Sequence, residues 1–136
     1  MTFSLDTNVI IDVVRGVRSV RDRLDEAVGS GADVFVSVIA LEELQYGAMI
    51  SVHPQRAQAD YEKIVASLAI APLTASDAGS IGEYRARQER GGRRMSAFDG
   101  LIAGQAFARG WTVVTADHKL AGNALDITIE NWRAPA

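Results

Sequence analysis

FSLDTNVIID, residues 3–12, starts as an apolar run and breaks at Asp6, with Thr7 and Asn8 directly behind the acid and more apolar residues after them. Phe3–Leu5 has the character of a core strand, and Asn8 to about Arg15 has helical spacing until Gly16 stops it. A carboxylate ending a core strand costs free energy unless something positive meets it. Asp6 therefore predicts a partner of positive charge elsewhere in the molecule.

Outward from this segment, strands and helices alternate. Val17 to about Val28 reads as a helix closed by Gly29, Ser30 and Gly31, and DVFVS at 33–37 as a strand. Ser37 is placed to cap a helix from Val38 to about Ile50, and Pro54 suits the first turn of a helix reaching about Leu68. AIAPL at 69–73 is a short strand or extended link. Asp77 to about Arg90 is helical and ends at Gly91 and Gly92. Ser96 caps a helix from Ala97 to Arg109, stopped by Gly110. WTVVT at 111–115 and ITIE at 127–130 are the last strands. This alternation predicts an α/β fold with a parallel central sheet flanked by helices. Ligands of such sheets lie beyond the carboxyl ends of the strands, where Asp6 and Asp117 both fall.

The length of 136 residues suits a single domain over 1–136, and a hydrophobic fraction of 48% allows a packed core. With no cysteine, disulfides, thiolate metal sites and cysteine nucleophiles are excluded, which fits a reducing, cytoplasmic setting. The N-terminus carries no signal-peptide pattern, and no apolar run is long enough for a membrane span. A net charge of −3 argues weakly against nonspecific nucleic-acid binding. However, nine of 14 basic residues fall in two stretches: Arg15, Arg18, Arg21 and Arg23, then Arg85, Arg87, Arg90, Arg93 and Arg94. They form either local polyanion sites or two solvated helix faces.

Two further acids fall on apolar helix faces. Glu43 has Ile39, Tyr46, Gly47 and Ile50 as helical neighbours, an inward-looking set, whereas Glu42 shares a polar arc with Gln45. Asp99 is flanked by Ile102, Ala103 and Ala106, small enough on that stripe for the helix to approach the sheet closely. Each acid alone has a plain explanation: Asp6 as a helix cap, Glu43 as a boundary residue, Asp99 as a first-turn acid, Asp117 as a turn residue. Their convergence on one sheet edge has none. Clustered carboxylates repel unless they shift their pKa values or bind a cation. Oxygen donors without histidine or cysteine select hard divalent ions, Mg²⁺ or Mn²⁺. His53 and His118 read as loop residues, Asp12 as a solvated acid, Trp111 and Trp132 as packing residues, and Tyr46 as an exposed contact for a base or partner.

Taken in order, LDTNVIID, EELQYG, FDGLIAGQA, VVTAD and the closing ITIENW resemble the PIN-domain ribonucleases, and within them the VapC-type toxins of toxin–antitoxin modules. The resemblance spans nearly the whole chain and rests on the ordered set rather than on any one motif. It implies a PIN-like three-layer sandwich. It also implies metal-binding or catalytic roles for Asp6, Glu43, Asp99 and Asp117, with Asn8 and Thr115 supporting them. The family's fourth acidic position varies and is sometimes Asn; here it is Asp117, which favours full activity. Family members commonly pair with a small antitoxin and form homodimers.

The expected activity is Mg²⁺-dependent endonucleolytic hydrolysis of RNA. Asp6 and Asp99 are read as direct ligands, Glu43 as a ligand or water-orienting group, and Asp117 as serving a second metal. Two other classes stay open: a PIN-fold RNA- or protein-binding module without catalysis, and a metal-dependent phosphatase of small phosphoesters. Against the second, the D-x-D of aspartyl-phosphate enzymes is replaced by Asp6 and Asn8.

Overall fold

The computed structural model describes residues 1–133. In chain order the elements are β1 (Thr2–Leu5), α1 (Thr7–Val14), α2 (Arg18–Gly29), β2 (Asp33–Ser37), α3 (Val38–Met49), α4 (Pro54–Val65), β3 (Ala69–Ala71), α5 (Ala75–Arg90), α6 (Ala97–Arg109), β4 (Thr112–Val114), α7 (His118–Asn123) and β5 (Ile129–Glu130). Local chemistry accounts for most boundaries. Ser37 Oγ accepts from Ala40 N at 3.1 Å and starts α3; Ser96 Oγ accepts from Asp99 N at 3.2 Å and starts α6. Gly110, at φ 69°, ends α6 in the left-handed conformation that glycine adopts without strain.

The start of α5 differs from expectation. The helix begins at Ala75, two residues before Asp77, because Thr74 and Asp77 form a capping box. Thr74 Oγ1 accepts from Asp77 N at 3.2 Å, and Asp77 Oδ2 accepts from Thr74 N at 2.9 Å. Asp77 is buried, and Arg109 clasps it through Nε and Nη2 at 3.0 and 2.6 Å. That guanidinium holds the Asp77 carboxyl well below the usual carboxylate range.

All strands are parallel, in the order β3-β2-β1-β4-β5. Leu5 lies beside Val36 on one side and Val114 on the other. The chain moves from β1 through β2 to one edge at β3, then returns to place β4 on the opposite side of β1. Right-handed crossovers therefore put α1 to α4 on one face and α5 and α6 on the other. The reversal between β1 and β4 opens a crevice at their carboxyl ends, the usual ligand position of an open parallel sheet. Leu5, Ile10, Val36, Val113 and Val114 are fully buried below it.

Two expectations about packing change. The small residues of α6 admit a helix as well as the sheet: a Cβ at Gly104 would lie 3.1 Å from the Ile81 side chain of α5. Asp12 is not solvated. It is buried, and Arg133 grips it through Nε at 2.6 Å and an Nη at 2.8 Å, pinning residue 133 to α1. The tryptophans pack as expected: Trp132 meets Phe3 edge-on at 5.4 Å, and Trp111 stacks on Phe35 at 4.7 Å.

Candidate active site

Asp6 directly follows β1 and caps α1, so it stands between the sheet edge and a helix start. Its backbone N–H donates to Val114 O at 2.9 Å, which ties it to β4. Its side chain is 6% exposed and makes three hydrogen bonds. Oδ1 accepts from Thr7 N at 2.8 Å, while Oδ2 accepts from Thr115 Oγ1 at 2.8 Å and Asn8 Nδ2 at 3.2 Å. A carboxylate has about four acceptor positions, so these bonds leave room for a further partner.

Asn8 and Thr115 bridge the crevice. Asn8 Nδ2 also donates to Thr115 Oγ1 at 3.2 Å, and Asn8 Oδ1 accepts from Ala116 N at 3.1 Å. Thr115 Oγ1 in turn accepts from Asp117 N at 3.0 Å. The ends of β1 and β4 are thus locked together by side chains that hold Asp6 in place and set the turn carrying Asp117. Asp117 caps α7, accepting from Lys119 N at 2.8 Å and Leu120 N at 3.4 Å.

Glu43 joins the group from α3 through a residue to which sequence reading gave no role. Thr7 Oγ1 donates to Glu43 Oε1 at 3.0 Å. The only sequence signal for Thr7 was its place directly behind Asp6. The helical face inferred for Glu43 also needs correction. The buried face of α3 is Ala40, Leu44 and Ala48, while Tyr46, Gly47 and Ile50 are exposed. Glu43 sits half-buried at the edge of that face, drawn to the crevice by Thr7, and Glu42 is exposed. Asp99 is the third residue of α6, half-buried, above the buried Ile102, Ala103 and Ala106.

The electrostatics link the four acids. Burial pushes the Asp6 carboxyl up despite its three hydrogen bonds, and the Asp117 charge adds to the rise. Burial likewise raises Glu43, with Asp6 and Asp99 pushing the same way against the Thr7 hydrogen bond. Asp99 is raised by burial, then by Asp117 and Asp6. Among the described residues no ion pair involves any of the four. Nor do any three acid, histidine or cysteine side chains, as they lie, stand close enough to hold one metal ion. The four share a field of like charge, and among the described residues none of them has an ion-pair partner. Their donors are all oxygen, which suits a hard divalent cation. His53 precedes α4, and His118, next to Asp117, is the exposed first residue of α7.

The arginine stretches are only partly free for an outside anion. Arg21 pairs with Asp25 at 3.5 Å, Arg23 with Glu130 at 3.6 Å and Arg87 with Asp126 at 3.1 Å, while Arg93 donates to Gly122 O at 3.3 Å.

A PIN domain family model matches residues 4–124. The chain is 33% identical to the tRNA(fMet)-specific endonuclease VapC of Shigella flexneri, over 97% of this chain and 98% of that protein. It is 28% identical to ribonuclease VapC2 of Rickettsia felis, again over 97% and 98%. Among solved structures, VapBC2 from Rickettsia felis bound to a promoter DNA fragment superposes with a TM-score of 0.90 at 28% identity, covering 97% of this chain and 99% of that one. DNA-bound VapBC from Salmonella typhimurium superposes with a TM-score of 0.87 at 32% identity, covering 97% and 98%.

Proposed function

Because this chain belongs to the PIN-domain family, we propose that it is a single-domain, metal-dependent endoribonuclease, the toxin half of a toxin–antitoxin pair acting in the cytoplasm. The observation that carries the reading is the buried Asp6 carboxylate at the switch-point crevice, held by Thr7, Asn8 and Thr115, repelled by Asp117 and in no ion pair among the described residues. Asp6 and Asp99 would hold Mg²⁺ or Mn²⁺, with Glu43 and Asp117 completing the set after side-chain reorientation. When bound, the metal would supply Lewis acidity at the scissile phosphate and offset charge on the leaving oxygen. The chain's own part is positional. Thr115 and Asn8 fix Asp6 Oδ2, and Thr7 fixes Oδ1 through its backbone N–H and holds Glu43 through its hydroxyl. Glu43, whose carboxyl burial raises above its ordinary value, is the group placed to orient an attacking water and take its proton.

The relatives whose names pair VapB with VapC support a protein antitoxin as partner. An exposed apolar strip on and after α3 offers surface for it or for a second copy in a homodimer: Val38, Tyr46, Met49, Ile50 and Val52. Among the described residues no helix is long and apolar enough to cross a membrane.

Incubation of the purified protein with labelled RNA tests the reading. Cleavage should need Mg²⁺ or Mn²⁺, stop with a chelator, and be lost in Asp6→Asn. RNA bound but left intact under Mg²⁺ would identify a binding module, and turnover of a small phosphoester instead of RNA would identify a phosphatase. Either result overturns the proposal.

A further inference from the structure

A cavity of about 700 Å³ opens between the last turns of α5 and the start of α6, lined by Arg85, Glu89, Arg94, Met95, Ser96 and Ala97 among others. Residues 85–94 carry five arginines against one glutamate, in a chain whose net charge is −3. Structure accounts for some of that charge. Arg87 lies over Phe107 at 4.7 Å and pairs with Asp126, and Arg93 holds Gly122 O. Arg94 meets Glu89 at 3.6 Å, both well exposed, a contact that contributes little. Arg85 has no ion pair among the described residues.

Arg85 is nevertheless seated. Its stem crosses the first turn of α6 at Gly100: a Cβ there would come within 2.9 Å of Arg85 Nε, 3.1 Å of Cδ and 3.2 Å of Cγ. A side chain at residue 100 would push the Arg85 stem off this path. Gly100 follows Asp99, and Ser96, on the cavity wall, caps Asp99 N at 3.2 Å. The Arg85 stem thus passes Gly100, the residue after Asp99, and its exposed, unpaired guanidinium belongs to a wall shared with the start of the helix that carries Asp99. A nuclease with a negative site must hold its polyanion by cations placed beside that site, and arginine's planar fork matches phosphate oxygens.

We propose that this cavity binds a backbone phosphate of single-stranded RNA next to the scissile one, with Arg85 as the positioning residue and Arg94 as the second cation. The proposal rests on the ribonuclease reading. The test is equilibrium binding of a fluorescent single-stranded RNA in EDTA across a salt series, together with steady-state cleavage in Mg²⁺. Arg85→Gln should weaken binding about tenfold and lower the slope of log affinity against log salt by about 0.7, the loss of one phosphate contact on a single strand. KM should rise while kcat stays within about threefold, and Arg85→Lys should recover the slope. Gly100→Ala changes no charge but fills the seat of Arg85, and should weaken binding in the same direction with its melting transition intact. Arg56→Gln, an exposed arginine at α4 outside the cavity, should change affinity less than about twofold.

Wild-type slope and KM in Arg85→Gln, unchanged binding in Gly100→Ala, or equal losses in Arg85→Gln and Arg56→Gln would each overturn the cavity assignment. The two proposals fail separately. Arg85-dependent binding without cleavage leaves the cavity standing and removes the nuclease reading. Cleavage with an Arg85-independent KM removes only the cavity.

Discussion

Glu43→Gln, set against Glu42→Gln, separates charge at the crevice from charge on the same helix's surface. Gln keeps the shape and an acceptor for Thr7 Oγ1, which bonds Glu43 at 3.0 Å. A hydrogen bond to a charged acceptor contributes about 1.5–3 kcal/mol and a neutral one about 0.5–1.5, so the substitution forfeits roughly 1 kcal/mol there. Against this stands relief of burying a charge near Asp6 and Asp99. Burial and repulsion together outweigh the Thr7 bond, since the Glu43 carboxyl is raised above its ordinary value of 4.5. The net sign is therefore stabilising for Glu43→Gln. Glu43 is only half-buried, so solvent screening keeps the gain below about 1 kcal/mol, or roughly 2–4 °C in Tm. The pH dependence follows from the raised pKa. The folded state binds the Glu43 proton more tightly than the unfolded state, so the wild type gains stability as pH falls from neutral through the folded pKa. The Tm advantage of the variant should be largest near pH 7 and vanish below 4.5. Single-turnover RNA cleavage should fall by about 10²-fold or more as the proton acceptor is lost. Exposed Glu42→Gln should stay within about 0.5 kcal/mol and about threefold in rate. A Glu43→Gln protein less stable than wild type at pH 7, or one as active, would overturn this account of Glu43. So would a crippled Glu42→Gln.

The other predictions probe the supports. Thr115→Val removes the donor at 2.8 Å from Asp6 Oδ2 and the acceptor of Asp117 N; it should cost about 1–3 kcal/mol in urea unfolding and lower cleavage as Asp6 loosens. Asp77→Ala breaks a buried pair and a capping box, so thermal melts at pH 7 should show a loss of about 2–4 kcal/mol with activity per folded molecule unchanged. Asp77's pKa is lowered, so its contribution is complete above the unfolded value near 3.8 and fades only as pH falls below it; the gap between variant and wild type should narrow there alone. Arg133→Gln strands buried Asp12, and hydrogen exchange or melting should report a loss of about 1–3 kcal/mol without effect on cleavage of folded protein.

What the sequence carried was local. Strands, their end points and most helix starts follow from apolar runs, Gly and Pro punctuation and cap residues, and these suffice for a parallel sheet with Asp6 and Asp117 at one edge. What it did not carry depended on partners far apart along the chain. Asp12 looks like any surface acid until Arg133 folds onto it. Asp77 looks like a helix start until Thr74 and Arg109 are seen around it. Glu43 was identified from a face that proves exposed, and it reaches the crevice instead through Thr7, 36 residues away. A helical wheel records which residues share a side, but not which side the rest of the fold covers.

The plain and functional readings of the acids also turn out not to compete at three of the four positions. Asp6 caps α1, Asp117 caps α7, and Asp99 lies in the first turn of α6. In a parallel sheet every strand's carboxyl end feeds a helix N-terminus, and those termini favour acids through free N–H groups and the helix dipole. The topology alone therefore gathers acids at this edge and offsets part of their repulsion. Capping cannot account for Glu43, which lies in the middle of α3 and satisfies no helix end. Nor does it require Asp6 to be buried among Thr115, Asn8 and Thr7, where its charge is disfavoured. Those two features cost stability that a structural role would not demand. A function for the cluster is therefore judged best on Glu43: if its charge could be removed without loss of activity, helix ends would be explanation enough for Asp99 and Asp117, and the buried Asp6 alone would be left to ask for a function.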